Sequence, residues 1–224
     1  MEQANDNGRI LLINKPLQWT SFDVVNKLRY KLKIKKIGHA GTLDPLATGL
    51  LIVCVGKMTK RIEEFMGQEK EYTGKFVIGQ TTDSHDLETP VTEQKDITHI
   101  TADQILQTAS TLTGNLQQLP PQHSAIRVRG KRAYEFAREG KPIALAPRLV
   151  TVDAFDIVDI NGSEISFRIV CSKGTYIRSL VRDFGDALGV GAYLSELCRT
   201  RIGSFKLEEA VNIDDIASPA DKPA

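Results

Sequence analysis

The hydrophobic pattern of the first eighty residues predicts three strands and two helices. The segment "RILLINKP" predicts a short strand that ends at Pro16, and the continuous apolar run "GLLIVCVG" is typical of a strand buried on both faces. The segment "KEYTGKFVIG" alternates as a strand does, and "TKRIEEFM" predicts a short helix. The segment "TSFDVVNKLRYKL" predicts a helix capped by Thr20 or Ser21. Its apolar residues share one helical face: Phe22, Val25, Leu28 and Leu32.

The second half of the chain mixes hairpin strands with helices. A helix from a Thr101 cap to Gly114 is predicted in "TADQILQTASTLTG", and "LVTVDAFDIVDING" with "SEISFRIVCS" predicts a hairpin. The segment "TYIRSLVRDFGDALG" predicts an amphipathic helix, and "AYLSELCRTRIGSF" predicts a helical turn and a last strand. The inward face of that helix holds Ile177, Leu180, Val181, Phe184 and Leu188. Because regular βαβ alternation is missing, we expect an α+β fold with a mixed, mostly antiparallel central sheet flanked by helices.

Composition predicts a cytoplasmic protein without a structural metal. Of 224 residues, 41% are hydrophobic and 25% are charged, close to the average of soluble globular proteins. The longest apolar run, "LLIVCV", is too short to cross a bilayer, and the polar start predicts no signal peptide. Three cysteines and four histidines are scattered without ligand spacing, so we expect no metal site.

A net charge of +1 hides two basic clusters. The stretch "RYKLKIKK" has five basic residues and no acid, and residues 127–148 have seven basic residues against two glutamates. The second cluster follows a Pro-Pro pair and contains one short helical piece near Tyr134 to Glu139, so it predicts an excursion from the core. Each cluster is either a footprint for a polyanion or a solvated face, and the sequence leaves both interpretations open.

One loop presents a single carboxylate, Asp44, in "KKIGHAGTLDPLATGLL". A lone acid among small and apolar neighbours could serve as a nucleophile or a base, or it could simply form a turn before Pro45. His39 could donate to a phosphate or hold the loop. Phosphate-loop, GxSxG and HExxH patterns are absent.

A second candidate stretch is "CSKGTYIRSLVRDFG". Lys173 precedes a predicted helix start at Thr175, where an anion would be favoured, and Tyr176 and Arg178 lie beside it. Arg178 could pair with a carboxylate such as Asp44, or it could be a surface arginine. Tyr72, at a strand start, would by itself be typical of a core tyrosine.

Together five motifs resemble the TruB-type tRNA pseudouridine synthases, from about Ile10 to Phe205. They are "GHAGTLDPLATGLL", "KEYTGKFVIGQTTDSHD", "LPPQHSAIRVRGKRAYEFAREG", "CSKGTYIRSLVRDFG" and "LCRTRIGSF". The resemblance implies a pseudouridine synthase fold, with a catalytic domain at 8–206 and a basic RNA-gripping insertion at about 117–148. The remaining residues 207–224 are expected to form a short tail, with no C-terminal RNA-binding domain of the PUA type.

The resemblance also implies conversion of uridine to pseudouridine at position 55 in the TΨC loop of tRNA. It implies that Asp44 is the essential aspartate, that Tyr72 stacks on the target base and that Arg178 pairs with the aspartate. Further substrate-binding residues would be His39, Tyr176, Leu197, Lys173, Arg129, Lys131 and Arg132. The sequence leaves open whether the carboxylate attacks C6 or C1′ or takes the C2′ proton.

The implied reaction is an isomerisation and requires no cofactor, metal or redox partner. The expected partner is the T stem-loop of tRNA, with the target base flipped out of the stack. We also expect a monomer with no obligatory protein partner. A non-catalytic module that binds and folds tRNA would use the same basic surface, so it remains an alternative. An RNA-guided relative of the dyskerin type is disfavoured by the short chain.

Overall fold

The computed structural model describes residues 8–128, 130–141 and 143–217. The strands of this described part are β1 (Arg9–Lys15), β2 (Ile37–Ala40), β3 (Ala47–Val55), β4 (Lys70–Ile78), β5 (Gln80–Thr82), β6 (Val91–Gln94), β7 (Gly114–Gln118), β8 (Arg127–Val128), β9 (Lys131–Arg132), β10 (Arg148–Asn161), β11 (Glu164–Cys171), β12 (Ala192–Ile202), β13 (Phe205–Lys206) and β14 (Val211–Asn212). The α-helices are α1 (Ser21–Leu32), α2 (Ile62–Met66), α3 (Ala102–Thr111), α4 (Ala133–Arg138) and α5 (Ile177–Leu188). Short 3₁₀ helices are Gly56–Arg61, Leu207–Glu209 and Ile213–Asp215.

The chain divides into two compact units. Unit 1 holds the residues up to Thr73 and those from Leu197 onward, and unit 2 holds Gly74–Glu196. Strands β4 and β12 therefore each have one part in either unit. The predicted domain boundary after residue 206 stays a prediction.

A mixed sheet forms the core of unit 1, with helices on both faces. Strand β3 pairs antiparallel with β1 and β2 and parallel with β12, and β14 pairs parallel with β1. Because side chains alternate along a strand, Leu51 and Val53 of β3 pack against α1, whereas Ile52 and Cys54 pack on the other face with Phe65 of α2. The prediction that β3 is buried on both faces is confirmed.

Helix α1 begins at the predicted cap and buries three of the four residues predicted for its inward face. The Thr20 hydroxyl accepts from the Asp23 amide at 3.0 Å, and the Asp23 carboxylate accepts from the Thr20 amide at 2.8 Å, which forms a capping box. The buried residues are Ser21, Val24, Val25, Leu28 and Leu32. The prediction for Phe22 is wrong: its side chain is 56% exposed, and the guanidinium of Arg29 lies over its ring.

The long hairpin predicted for unit 2 is confirmed. Strands β10 and β11 pair antiparallel, and β7 pairs antiparallel with the other edge of β10. Helix α5 buries Ile177, Leu180, Val181 and Phe184 as predicted, whereas Leu188 is only half-buried. The Phe184 ring joins a cluster with the rings of Phe76, Phe155 and Phe167, which fastens the helix to this core.

One local prediction is wrong, and one helix is shorter than predicted. Helix α3 ends at Thr111, before the predicted end at Gly114, and residues 114–118 are strand β7, although "NLQQ" has no hydrophobic alternation to signal one. The predicted helical turn in "AYLSELCRTRIGSF" is absent, and residues 192–202 are one continuous strand. Strand pairing explains this, because Leu197 and Arg199 of β12 pair with Ala47 and Gly49 of β3, which overrides the helical propensity of Leu and Glu.

The class prediction of an α+β fold is confirmed, with mixed and mostly antiparallel strand pairing. Within the described ranges, no helix is both long and apolar enough to span a bilayer. The same ranges contain no group of three or more His, Cys, Asp or Glu side chains that could hold a metal ion.

Candidate active site

The loop that carries Asp44 is fastened to α1 by buried hydrogen bonds. The Ser21 hydroxyl accepts from the amide of Leu43 at 2.8 Å and lies 3.2 Å from the Leu43 carbonyl oxygen, to which it donates. On the other side of Asp44, the amide of Gln18 donates to the Pro45 carbonyl at 2.8 Å. These bonds fix the backbone on both sides of Asp44, so the half-buried carboxylate starts from a defined position.

A buried lysine, Lys15, lies beside this loop. Its side chain is fully buried, and its ammonium donates to the carbonyls of Pro16 at 2.9 Å and Trp19 at 2.6 Å. Burial lowers the pKa of Lys15 to about 8, while the negative charge of Asp44 opposes this shift and the positive charge of Arg199 adds to it. Lys15, Asp44 and Arg199 therefore form one interacting group of charges within unit 1.

Arg199 is the other buried cation of this group. Its Nε donates to the Leu50 carbonyl at 2.8 Å, and its Nη2 donates to the Gly41 carbonyl at 3.1 Å. Gly41 has a φ of +91°, in the left-handed region that favours glycine, so the loop can turn back toward the guanidinium. The arginine thus ties the glycine-rich loop to β3.

His39, Leu197 and Tyr72 also lie in unit 1. Burial, followed by the charge of Arg199, lowers the pKa of the half-buried His39, which favours a neutral imidazole at neutral pH. Leu197 pairs in register with Ala47, three residues after Asp44. Tyr72 lies on β4 and is 8% exposed. The roles predicted for these three residues stay predictions.

In unit 2, Arg178 at the start of α5 lies in a buried ionic cluster. Its Nε is 3.4 Å from Oδ2 of Asp86, and both side chains are less than a tenth exposed. Its Nη1 and Nη2 donate to the carbonyls of Ser84 at 3.2 Å and His123 at 2.9 Å. The alternative of a surface arginine is therefore wrong, and pairing of Arg178 with Asp44 stays a prediction.

Sequence reasoning missed Asp86. It is the last residue of the motif "KEYTGKFVIGQTTDSHD", but nothing in that stretch distinguishes its carboxylate from that of Asp83. The structure distinguishes it by burial, by the contact with Arg178 and by a hydrogen bond from the Glu88 amide to its Oδ1 at 2.9 Å.

A half-buried histidine, His85, adjoins this cluster. Burial, and then the charges of Arg182, Arg178 and His123, lower the pKa of His85 to about 4. The backbone of His85 has a φ of +60°, a conformation that costs a non-glycine residue free energy. His85 is therefore neutral at physiological pH.

Tyr176 caps α5 and is held on two sides. The side-chain amide of Gln118 accepts from the Tyr176 amide at 2.8 Å and donates to its carbonyl at 3.1 Å. The guanidinium of Arg148 lies 4.5 Å from the centre of the Tyr176 ring, a cation–π contact that orients the ring. Helix α5 begins at Ile177, two residues later than predicted, and Lys173 is exposed in the turn before it.

Of the two described side chains in the basic insertion that were predicted to bind RNA, Lys131 is more exposed than Arg132. Lys131 is exposed and lies 3.7 Å from Glu139, whereas the half-buried Arg132 donates to the Ala125 carbonyl at 2.6 Å. Arg129, the third predicted residue here, lies outside the described residues. RNA binding by this insertion stays a prediction.

Comparison with known proteins shows two adjacent family matches. The family described as "TruB family pseudouridylate synthase (N terminal domain)" matches residues 29–177, and "tRNA pseudouridylate synthase B C-terminal domain" matches residues 178–221. The chain belongs to the TruB family of pseudouridylate synthases. The predicted family, and with it the prediction of a pseudouridine-forming isomerase, is confirmed.

Several TruB relatives match this chain over most of its length. The tRNA pseudouridine synthase B of Bacteroides fragilis is 50% identical over 211 residues, which are 92% of this chain and 91% of the relative. That of Flavobacterium johnsoniae is 51% identical over 213 residues, covering 92% and 93%. The Clostridium tetani relative is 40% identical over 210 residues, covering 94% of this chain and 72% of the relative.

Solved structures confirm the predicted pseudouridine synthase fold. A chain in a crystal structure of a Cbf5–Nop10–Gar1 complex matches with a TM-score of 0.72 and 31% identity, over 92% of this chain and 52% of that chain. A chain in an H/ACA RNP bound to a substrate RNA containing 2′-deoxyuridine matches with a TM-score of 0.69 and 29% identity, over 94% and 52%. This TruB-family chain therefore spans about half of each of those two chains.

Proposed function

We propose that this TruB-family chain isomerises uridine to pseudouridine at position 55 in the TΨC loop of tRNA, with Asp44 as the essential carboxylate. The observation that carries the proposal is the loop around Asp44, whose backbone is hydrogen-bonded on both sides and whose carboxylate interacts with the buried Lys15. Relatives that share about half of their residues with this chain bear the name tRNA pseudouridine synthase B, which supports tRNA as the substrate.

The reaction needs few chemical groups. The N1–C1′ bond breaks, the uracil turns, C5 bonds to C1′, the C5 hydrogen leaves as a proton and N1 takes up a proton. A carboxylate can supply a nucleophile or a base for these steps, and Asp44 acts at the ribose in our proposal. The uracil must first leave the base stack, and Tyr72 stacks on the flipped ring.

We assign Arg178 and Tyr176 to the same reaction through the family resemblance. Arg178 is less than a tenth exposed, and Asp86 and two carbonyls fix its guanidinium, so it starts from one geometry. Tyr176 is fixed in the same way by Gln118 and Arg148. Because these side chains are already held in one geometry, RNA binding loses less conformational entropy in ordering them.

The enzyme works in the cytoplasm as a monomer and needs no protein partner, in our proposal. The basic insertion around Lys131 and Arg132 contacts RNA phosphates, and it raises affinity without reading a base sequence. Folded RNA is recognised mainly by shape and by bases in loops, which fits a target in the TΨC loop.

Mapping of the product tests the proposed position. A tRNA transcript is incubated with the protein, and pseudouridine is located by carbodiimide modification and primer extension. We expect one stop, at position 55, and no stop in a transcript that carries cytidine there. Tight binding of several tRNAs without any stop would overturn the proposal and favour a tRNA-binding module without catalysis.

A further inference from the structure

A basic groove lies at the C-terminal end of α1, within unit 1. It encloses about 880 Å³, and we call it the α1 groove. Its basic side chains are Lys27, Arg29, Lys31, Lys33 and Lys35, its aromatic residue is Tyr30, and its single acid is Asp214. An opening of this size can hold a segment of a polymer more readily than it can hold a single ion.

Two of the five cations have structural partners. Arg29 donates to the Ile37 carbonyl at 2.9 Å and to the Asn26 side chain at 3.2 Å. Lys31 donates to the carbonyls of Ile213 and Asp214, so it holds the C-terminal segment against α1. These two side chains build the groove.

The other three cations, Lys27, Lys33 and Lys35, make no ion pair with any carboxylate in the part of the chain that the structure describes. The α1 dipole favours a cation at the C-cap Lys33, but it explains neither Lys27, which precedes the last turn, nor Lys35, which follows the helix. Lys33 also has a φ of +55° at the C-cap, where glycine is usual. Their charge is therefore available to an anion.

Tyr30 adds a flat, solvated surface among these charges. Its side chain is 84% exposed, the largest exposed fraction among the exposed large hydrophobic residues of the described chain. An exposed aromatic ring between lysines matches nucleic acid, whose bases stack while its phosphates meet the cations. An acidic peptide would satisfy the charges but would leave this ring without a stacking partner.

We propose that the α1 groove binds the phosphodiester backbone of RNA at nucleotides other than the one held at Asp44. This inference rests on the proposed function, because it takes the RNA to be the tRNA substrate. Ser21 contacts the Asp44 loop, and Leu32 lies at the other end of α1, about 16 Å away at 1.5 Å per residue.

The C-terminal segment forms one wall of this groove and contributes its single acid. Ile213 packs into the core beside Val24 and Leu28, which places the neighbouring Asp214 at the groove wall. The carboxylate of Asp214 repels phosphate there. Removal of an acid should therefore strengthen RNA binding, which is the opposite of what a variant with a damaged fold would show.

The test measures dissociation constants for full-length tRNA between 50 and 300 mM salt. Replacement of Lys27, Lys33 and Lys35 by Gln should weaken binding about tenfold or more and reduce the slope of log K against log salt by about two, since each phosphate contact contributes about 0.7 to 0.9. Replacement of the same three lysines by Arg should stay within about twofold of wild type, because phosphate contacts depend on charge.

Two single variants test whether removal of an acid from the groove strengthens RNA binding. Asp214→Asn should strengthen binding about two- to threefold at low salt, and the effect should vanish at high salt because of screening. Glu208→Gln is the matched control: Glu208 is exposed in the same C-terminal segment but does not line the groove, so its loss should leave binding unchanged.

Equal affinity and equal salt slope for the Gln variant and wild type would overturn the proposal. A loss of binding in the Arg variant would also overturn it, because it would indicate a structural role for the lysines. A third contradicting result would be a Gln variant that weakens binding of poly-glutamate more than binding of tRNA. Tritium release from C5-labelled tRNA at saturating enzyme, measured in parallel, should be unchanged in the Gln variant. If wild type releases no tritium but the Gln variant still reduces the salt dependence of tRNA binding, the proposed function is refuted and the proposal for the α1 groove is not.

Discussion

Arg178 and Asp86 form a buried ion pair, with Nε and Oδ2 3.4 Å apart and both side chains less than a tenth exposed. A buried charge without a partner of opposite charge destabilises the folded state, because the surrounding protein solvates it poorly. The backbone carbonyls of Ser84 and His123 complete the coordination of the guanidinium. The geometry of Arg178 is therefore set before any RNA binds.

Replacement of Asp86 by Asn should lower the free energy of unfolding by about 3 kcal/mol, because it leaves a buried guanidinium without its carboxylate. Urea denaturation measures this change. The control is Asp156→Asn, whose ion pair with Arg168 is solvent-exposed and should contribute less than about 1 kcal/mol. Equal effects of the two variants would contradict the assignment of Asp86 as the partner that holds Arg178.

Ser21→Ala should loosen the Asp44 loop. It removes both hydrogen bonds between the hydroxyl and Leu43 and leaves a buried amide and carbonyl unsatisfied, at a cost of about 2 kcal/mol in unfolding free energy. We expect the single-turnover rate of C5 tritium release to fall about tenfold while tRNA affinity is retained, because binding surfaces elsewhere are intact. Ser110→Ala, at an exposed site on α3, should change neither quantity. A normal rate in Ser21→Ala would show that the loop needs no fastening to α1.

Acid should destabilise the fold through His85. Its folded-state pKa of about 4 lies below the unfolded value of 6.5, so the unfolded state binds more protons as the pH falls. The contribution of His85 to stability is complete above pH 6.5 and is lost between pH 6.5 and 4. Unfolding free energies across this range should fall less steeply in His85→Asn, which also tolerates the left-handed backbone at this position. Identical pH profiles for wild type and variant would contradict the prediction.

Local signals in the sequence predicted much of the fold. The capping box at Thr20 depends on residues three apart, and the burial of β3 depends on a continuous apolar run, so both are visible in the sequence. Phe22 misled the helix-face assignment because a cation on the same helix, Arg29, covers its exposed ring. Strand β12 was obscured in part because its pairing partner β3 lies far away in the sequence.

The candidate site was predictable only where a residue belongs to a recognised motif. Asp44, Tyr72 and Arg178 were identified in that way. Asp86 and Arg199 also lie in quoted motifs, but the motifs alone assigned them no role. Their importance, like that of Lys15, arises from burial and from contacts across long stretches of sequence. A buried lysine next to Pro16 has no local signature that distinguishes it from an exposed one.

The most direct test of the central claim is release of tritium from tRNA labelled at uridine C5, with wild type, Asp44→Asn and the exposed-site control Asp153→Asn side by side. Because bonding of C5 to C1′ expels that hydrogen, release reports the isomerisation itself. We predict about one equivalent per tRNA from wild type and from the control, and no release from an Asp44→Asn protein that still binds tRNA. Release by Asp44→Asn at the wild-type rate would contradict the role of Asp44, and no release by a wild-type protein that binds tRNA tightly would contradict the proposed reaction.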